Sequence, residues 1–355
     1  MRVLVTGCNG YIGSVLMPLL LAEGYDAYGI DNDWFEPCTL GEPPAPAPHR
    51  VLDIRDVQLA DLEGFYAVIH LAALSNDPLS NLDPQLTYEI NHQATVRLAR
   101  LAKQAGVERF LVSSSCSTYG LAGDELVTEE AEQNPVTPYG RSKVLADRDV
   151  SLLADDDFSP VFLRNATAYG ASPRLRLDLV LNDFVAAAYA TGRILMLSDG
   201  TPWRPLVHVE DICRAFIAVL EARREAIHDQ AFNVGSSSEN YRVGELAAIV
   251  QDTVGGCRIE YADGAGPDQR CYRVDCGKIS RRLPSFQLRW NARLGARQLL
   301  ESYRVAGLSA DDLAGPRFYR LRTLRRLIDS RRLTGDLRWR EAPVATPADA
   351  SALTS

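Results

Sequence analysis

The sequence predicts an α/β protein: a Rossmann-type doubly wound parallel sheet carrying a smaller, discontinuous mixed α/β lobe. Two observations lead there. Short apolar strands alternate with helical patterns through the first half of the 355 residues, and the first strand runs into a glycine-rich turn followed at once by a helix. Residues 2–6 read as a strand, 7–13 as the glycine loop, 14–23 as a helix stopped by Gly24, and 27–30 as a second strand, which together make one βαβ unit. The proline-rich GEPPAPAP at 41–48 suits neither helix nor central strand and reads as an extended loop over the ligand side. Strands follow at 67–71, 110–113 and 161–164, separated by helices that include 84–104 and 138–153. Beyond Gly170 the rhythm loosens into arginine-rich loops with isolated helices at 178–191 and 243–253. FNVG at 232–235 is apolar enough to return to the main sheet. The expected division is therefore 1–168 with 203–235 for the dinucleotide-binding domain and 169–202 with 236–333 for a substrate-binding lobe. Residues 334–355, rich in Pro, Ala, Ser and Thr, are expected to form a flexible tail.

Composition removes several classes of function. Hydrophobic residues make up 46% and charged residues 24%, which excludes a disordered or disulfide-stapled chain. Acids outnumber bases by 46 to 38, for a net charge of -8, so no basic field invites nucleic acid. The seven cysteines are odd in number and scattered, without a CxxC pair or histidines spaced to complete a site; reduced thiols and no metal are expected. The first apolar run ends at Thr6-Gly7, short of a signal core, and no run has the length of a membrane span. A soluble, cytoplasmic protein with no membrane partner is expected.

Three constellations carry chemistry. In Thr6-Gly7-Cys8-Asn9-Gly10-Tyr11-Ile12-Gly13, glycines between strand and helix let backbone approach a pyrophosphate, and the helix N-terminus offers free N–H groups. Asp31, after the second strand, can accept both adenosine ribose hydroxyls and would repel a 2′-phosphate, which favours NAD over NADP. In Tyr139-Gly140-Arg141-Ser142-Lys143, Thr137 caps a helix and the spacing of four sets Tyr139 and Lys143 on one face. From there the ammonium can lower the phenol's pKa and hold the nicotinamide ribose. Ser113 to Gly120 follow a strand's carboxyl end, where a hydroxyl can share the substrate oxygen with Tyr139.

These residues resemble the extended short-chain dehydrogenase/reductase family, most closely its NAD-dependent nucleotide-sugar epimerase and dehydratase branch. The likeness rests on TGCNGYIG, Asp31, Asp53-Ile54-Arg55, His70-Leu71-Ala72-Ala73, Asn91, SSSCSTYG and YGRSK. It continues through LRNATAYG at 163–170, DGTPWR at 199–204, VHVED at 207–211, FNVG, and Asp268-Gln269-Arg270 leading to Asp275 and Lys278. The resemblance implies NAD as cofactor and a nucleotide sugar as substrate. It implies Tyr139 as acid/base, Lys143 as its partner and Ser115 as the assisting hydroxyl. Gly7, Asn9, Gly10, Tyr11, Ile12, Gly13, Asp31, Asn32, Asp53, Ile54, Leu71, Ala72, Ala73 and Lys143 would meet the cofactor, with Asn91 supporting an active-site water network. Asn182, Arg204 and Arg270 would hold the substrate diphosphate. Arg174 and Arg176 are either further diphosphate ligands or solvated loop charges, and His70 and His208 are expected to be structural.

Departures from the family narrow the chemistry. Relatives that eliminate water carry an Asp-Glu pair after the motif hydroxyl, and decarboxylating relatives carry Glu at the second position; here the residues are Cys116 and Ser117. Cys116 is one residue out of register for a proton-shuttling thiol, and Thr167 replaces a frequent Asn. The expected reaction is a redox-neutral 4-epimerisation, with a 4-ketosugar reductase or sugar dehydrogenase as the alternative enzyme and a catalytically silent dinucleotide sensor as the alternative of another kind. The resemblance also implies a homodimer through the helices beginning near Pro84 and Pro138, with Leu98, Leu101, Val144 and Leu145 exposed for pairing.

Overall fold

The computed structural model describes residues 1–44, 47–266 and 271–340. Seven strands, all paired in parallel, form the central sheet in the order His49–Val51, Asp26–Asp31, Arg2–Thr6, Ala67–His70, Arg109–Ser115, Ser159–Asn165 and Gln230–Val234. The chain begins mid-sheet, winds to one edge, then returns and winds to the other. The order therefore reverses between Arg2–Thr6 and Ala67–His70, and a crevice opens there at the strands' carboxyl ends.

Residue pattern explains the layers. Ala67–His70 and Ser159–Asn165 are buried along their whole length, as central strands covered on both faces must be. Alternation then sorts side chains by face. Val3 and Val5 pack with Leu16 and Leu20 of the helix Gly13–Ala22 and with Phe216 of Val209–Glu221. Leu4 turns the other way, toward Leu98 and Ala102 of Thr95–Gln104 and Val150 of Pro138–Ser151. The helical run expected at 84–104 is present as Pro84–Tyr88, a widened π-helical stretch Glu89–Ala94, and Thr95–Gln104. FNVG does rejoin the main sheet, as the edge strand Gln230–Val234.

A second core gathers the helices Val180–Thr191, Val243–Val254 and Ala292–Ala306 around Leu181, Val185, Leu246, Val250, Leu299 and Tyr303. Trp203–His208 pairs with Thr167–Tyr169 and Asn240–Arg242 in a separate three-stranded sheet, bridging this core to the main one. Among the described residues no helix is long and apolar enough to cross a membrane, and no three His, Cys, Asp or Glu side chains are placed to hold a metal. All seven cysteines are unpaired.

Two expectations need correction. The tail does not start at 334: Leu337 is fully buried, and residues 334–340 pack beside the central sheet, while 341–355 lie outside the described residues. Leu98 is not exposed for pairing. It is completely buried in its own chain's core, because the apolar stripe of Thr95–Gln104 faces the sheet, whereas Leu101, Val144 and Leu145 are half-buried. Leu98→Ala should therefore lower stability by about 2–5 kcal/mol, with the same shift of the denaturation midpoint at low and high protein concentration. A shift confined to dilute samples would place Leu98 in a subunit contact instead.

Candidate functional site

The glycine loop works by backbone proximity. Gly7 has φ +74°, and a Cβ there would lie 2.8 Å from the Ala72 nitrogen; a Cβ on Gly13 would lie 2.2 Å from the Gly7 carbonyl oxygen. Only glycine permits the loop to press against the Leu71-Ala72 segment and open the helix Gly13–Ala22 at its end. Beside it is a cavity of about 110 Å³ lined by Gly7, Gly10, Tyr11, Ile12, Gly13, Asp31, Asn32, Asp53, Ile54 and Leu71 to Ala73. Asp31 accepts hydrogen bonds from the Asn9 and Asp33 backbone N–H groups, each at 2.9 Å. Loss of water, then the charge of Asp33, pushes its carboxyl up to about 6.

Asn9 braces this corner without lining the cavity. Its amide donates to Asp33 at 2.6 Å and lies 3.0 Å from His49 Nε2. Asp33, held in the left-handed region at φ 56°, pairs with His49 at 3.2 Å, and that bond raises the imidazole to about 9. Asn91, too, lines neither this cavity nor the larger one beside it. Buried in the widened helical stretch, it accepts from Leu74 N and donates to Leu74 O and Ser142 Oγ, so it pins the strand-end loop to the helix that carries Tyr139.

Across the shared wall of Ile12, Leu71, Ala73, Ser75 and Arg176 lies a second cavity of about 700 Å³, the size of a small-molecule site. Tyr139, Lys143, Ser115, Ser117, Arg204 and Tyr272 all face it. Thr137 caps the helix Pro138–Ser151 by accepting from Gly140 N, which sets Tyr139 in its first turn. Ser115, ending the strand Arg109–Ser115, faces the same cavity as the Tyr139 phenol. Desolvation raises that phenol to about 12, against the pull of Ser115 and of Arg176. Lys143 donates to the Ser113 carbonyl at 2.7 Å; burial lowers it to about 8, and the Asp147 carboxylate opposes that shift. The Arg176 charge thus favours the ionised phenol, while the Lys143 ammonium is turned to the strand-end carbonyl of Ser113.

Other expected residues separate by where they point. Asn182 does not line the large cavity. It is fully buried, accepts from Gly170 N at 3.0 Å and donates to Arg176 O and the Tyr11 hydroxyl, because its first-turn position faces the preceding loop. Arg174 likewise ties Asn9 O to Glu36 O. Arg176 is different: it pairs with Asp178 at 2.9 Å and Ser75 at 3.1 Å, yet its buried Nη2 has no partner and it borders both cavities. Arg270 lies outside the described residues. Cys116 faces away, donating to Arg164 O, and burial drives its thiol far up. His70 receives from Thr6 and donates to Thr95, and burial holds it near 3; His208 caps the helix Val209–Glu221 and is held near 4. Both are structural. Tyr272, Asp183 and Tyr319 line the large cavity and were not singled out by sequence, since each sits alone among ordinary neighbours.

The profile of the NAD dependent epimerase/dehydratase family matches residues 3–235. The chain belongs to that family. A UDP-glucose 4-epimerase of Bacillus subtilis is 28% identical, with 84% of this chain and 94% of that protein covered. One from Mycolicibacterium smegmatis is 31% identical over 72% and 83% of the two chains. The solved complex of MoeE5 with UDP-glucuronic acid and NAD superposes with a TM-score of 0.75 at 30% identity, covering 86% of this chain and all of that one. NAD is the cofactor, and the cradle fits it: the glycine contacts leave backbone free to approach a pyrophosphate, the Asp31 carboxylate lines the same cavity, and Arg176, whose buried Nη2 has no partner, borders both cavities.

The His49–Asp33 pair gives a pH signature. A histidine raised from 6.5 to about 9 adds stability that is complete below its unfolded value and lost as pH rises through 9. The stability difference between wild type and His49→Gln, measured by urea melts, should be largest at pH 6 and vanish by pH 10. A difference independent of pH would show that the pair is not ionic.

Proposed function

We propose that this enzyme is a redox-neutral 4-epimerase of a nucleotide sugar. The observation that carries the reading is the placement of Tyr139, Ser115 and Lys143 together on the wall of a cavity of about 700 Å³ that adjoins a dinucleotide cradle. Bound NAD supplies the hydride acceptor and donor. Tyr139, acting as the phenolate, receives the proton of the sugar 4-hydroxyl and returns it after the two faces of C4 have been presented in turn, for which the cavity has room. Ser115 shares that oxygen and steadies it. The Lys143 ammonium, at about 8, stays charged at neutral pH one helical turn from the phenol and suits the nicotinamide ribose. Arg204, on the cavity wall, and Arg270 suit the substrate diphosphate, their guanidinium forks matching phosphate oxygens. Cys116 is turned away and Ser117 carries no acid, so an elimination has no acid/base pair at those positions. Asp31 disfavours NADP and with it a reductase.

The relatives' names support this reading, and homodimer pairing through the helical runs that begin at Pro84 and Pro138 belongs with it. UDP-glucose and UDP-glucuronic acid are the first substrates to try. Tyr139→Phe should bind NAD as wild type does and lose about 10²- to 10⁴-fold in turnover, the usual worth of positioned acid/base catalysis. Near-normal turnover by that variant would remove Tyr139 from the chemistry, and stoichiometric consumption of added NADH by wild type would make the enzyme a reductase.

A further inference from the structure

The last described segment of the chain reaches the adenosine end of the cofactor cradle. After the helix Arg320–Asp329 the backbone turns back on itself, with Leu333 bridging Trp339 and Thr334 N donating to Arg338 O at 2.8 Å. The Trp339 indole N–H donates to the Asn32 carbonyl at 2.7 Å. Asn32 follows Asp31 directly, and both line the smaller cavity. Arg338 pairs with Asp56 and lies 3.7 Å from Asp53. Arg55 completes the tie, its side chain donating to Asp336 O at 3.0 Å and Leu337 O at 3.4 Å, while its side chain and backbone N–H together hold Asp53 through three bonds. The loops 31–34 and 53–56, which frame the adenosine end, are thus fastened to one seven-residue turn.

Two more observations show that the turn is built to stay. Leu333 and Leu337 are buried in one cluster with Trp34, Ile54 and Ile90, all three of which line the cofactor cavity. Leu337 also holds φ 59°, a left-handed conformation that costs a branched residue energy and persists because the surrounding contacts fix it.

The geometry points to Trp339 as a positioning residue for NAD: by holding the Asn32 carbonyl it fixes the Asp31 carboxylate toward the adenosine ribose, and the turn 333–339 slows departure of the dinucleotide. This rests on NAD being the cofactor and is independent of where the hydride goes. Trp339→Phe deletes the N–H and keeps a ring to pack with Leu333. Calorimetry on the purified full chain should show about 3- to 10-fold weaker binding of both NAD and ADP-ribose, the loss of one ordinary hydrogen bond. NAD should dissociate faster, while turnover at saturating NAD and the sugar KM stay as in wild type. Arg338→Gln, which cuts the same turn loose by another contact, should weaken both ligands in the same direction and serves if the tryptophan variant fails to fold. Unchanged NAD and ADP-ribose affinity in a folded variant would overturn the proposal, as would a fall in melting temperature accompanied by equal weakening of the nucleotide sugar.

Discussion

The constraint on which the rest depends is the contact of backbone on backbone at the glycine loop. Gly7 lies against Ala72 and Gly13 against the Gly7 and Cys8 carbonyls, at distances no side chain would allow. That contact brings the end of Arg2–Thr6 and the end of Ala67–His70 together where the sheet order reverses. Both cavities open from this point, and they share the walls it creates, Ile12, Leu71 and Ala73 among them. Loosening the loop would displace cofactor cradle and reaction chamber together.

Buried charge then tunes the chamber. Tyr139 and Lys143 stand one turn apart on the helix Pro138–Ser151, and desolvation moves them in opposite directions, the phenol up to about 12 and the ammonium down to about 8. Each shift disfavours the charged form: the phenol is held neutral, while the ammonium, at about 8, still keeps its charge at neutral pH, and positive charge near the phenol would favour its ionised form. Arg176 already acts in that sense, and Asp147, itself raised to about 6 by burial, supports the lysine's charge from the next turn. Asn91 and Asn182, whose amides are spent on backbone groups and on the Ser142 and Tyr11 hydroxyls, keep the surrounding loops from relaxing into the space.

Much of this was legible in the sequence. A glycine loop between strand and helix, an acid after the second strand and YxxxK behind Thr137-Pro138 each demand one local geometry, and the structure has all three. What escaped depends on direction in three dimensions. Asn182 carries the chemistry of a phosphate ligand, yet its side chain meets Gly170 before it meets the cavity. Leu98 belongs to an apolar stripe whose facing partner, the strand Arg109–Ser115, comes later in the chain. Arg176 reads like its neighbour Arg174 until Asp178 and Ser75 turn it to the cavity wall. In the polar C-terminal stretch, Leu333, Leu337 and Trp339 are three apolar residues too few to announce a packed turn; their partners Trp34 and Ile54 lie about three hundred residues earlier.

The central claim is that the hydride taken from C4 returns to C4 of the same sugar. Nucleotide sugar carrying deuterium at C4 would be incubated with purified enzyme without added cofactor and followed by mass spectrometry and NMR. The C4 epimers should reach equilibrium and keep the deuterium, with no free NADH formed. Product that has lost the label, or epimers that form only when NADH or NADPH is supplied and consumed, would contradict it.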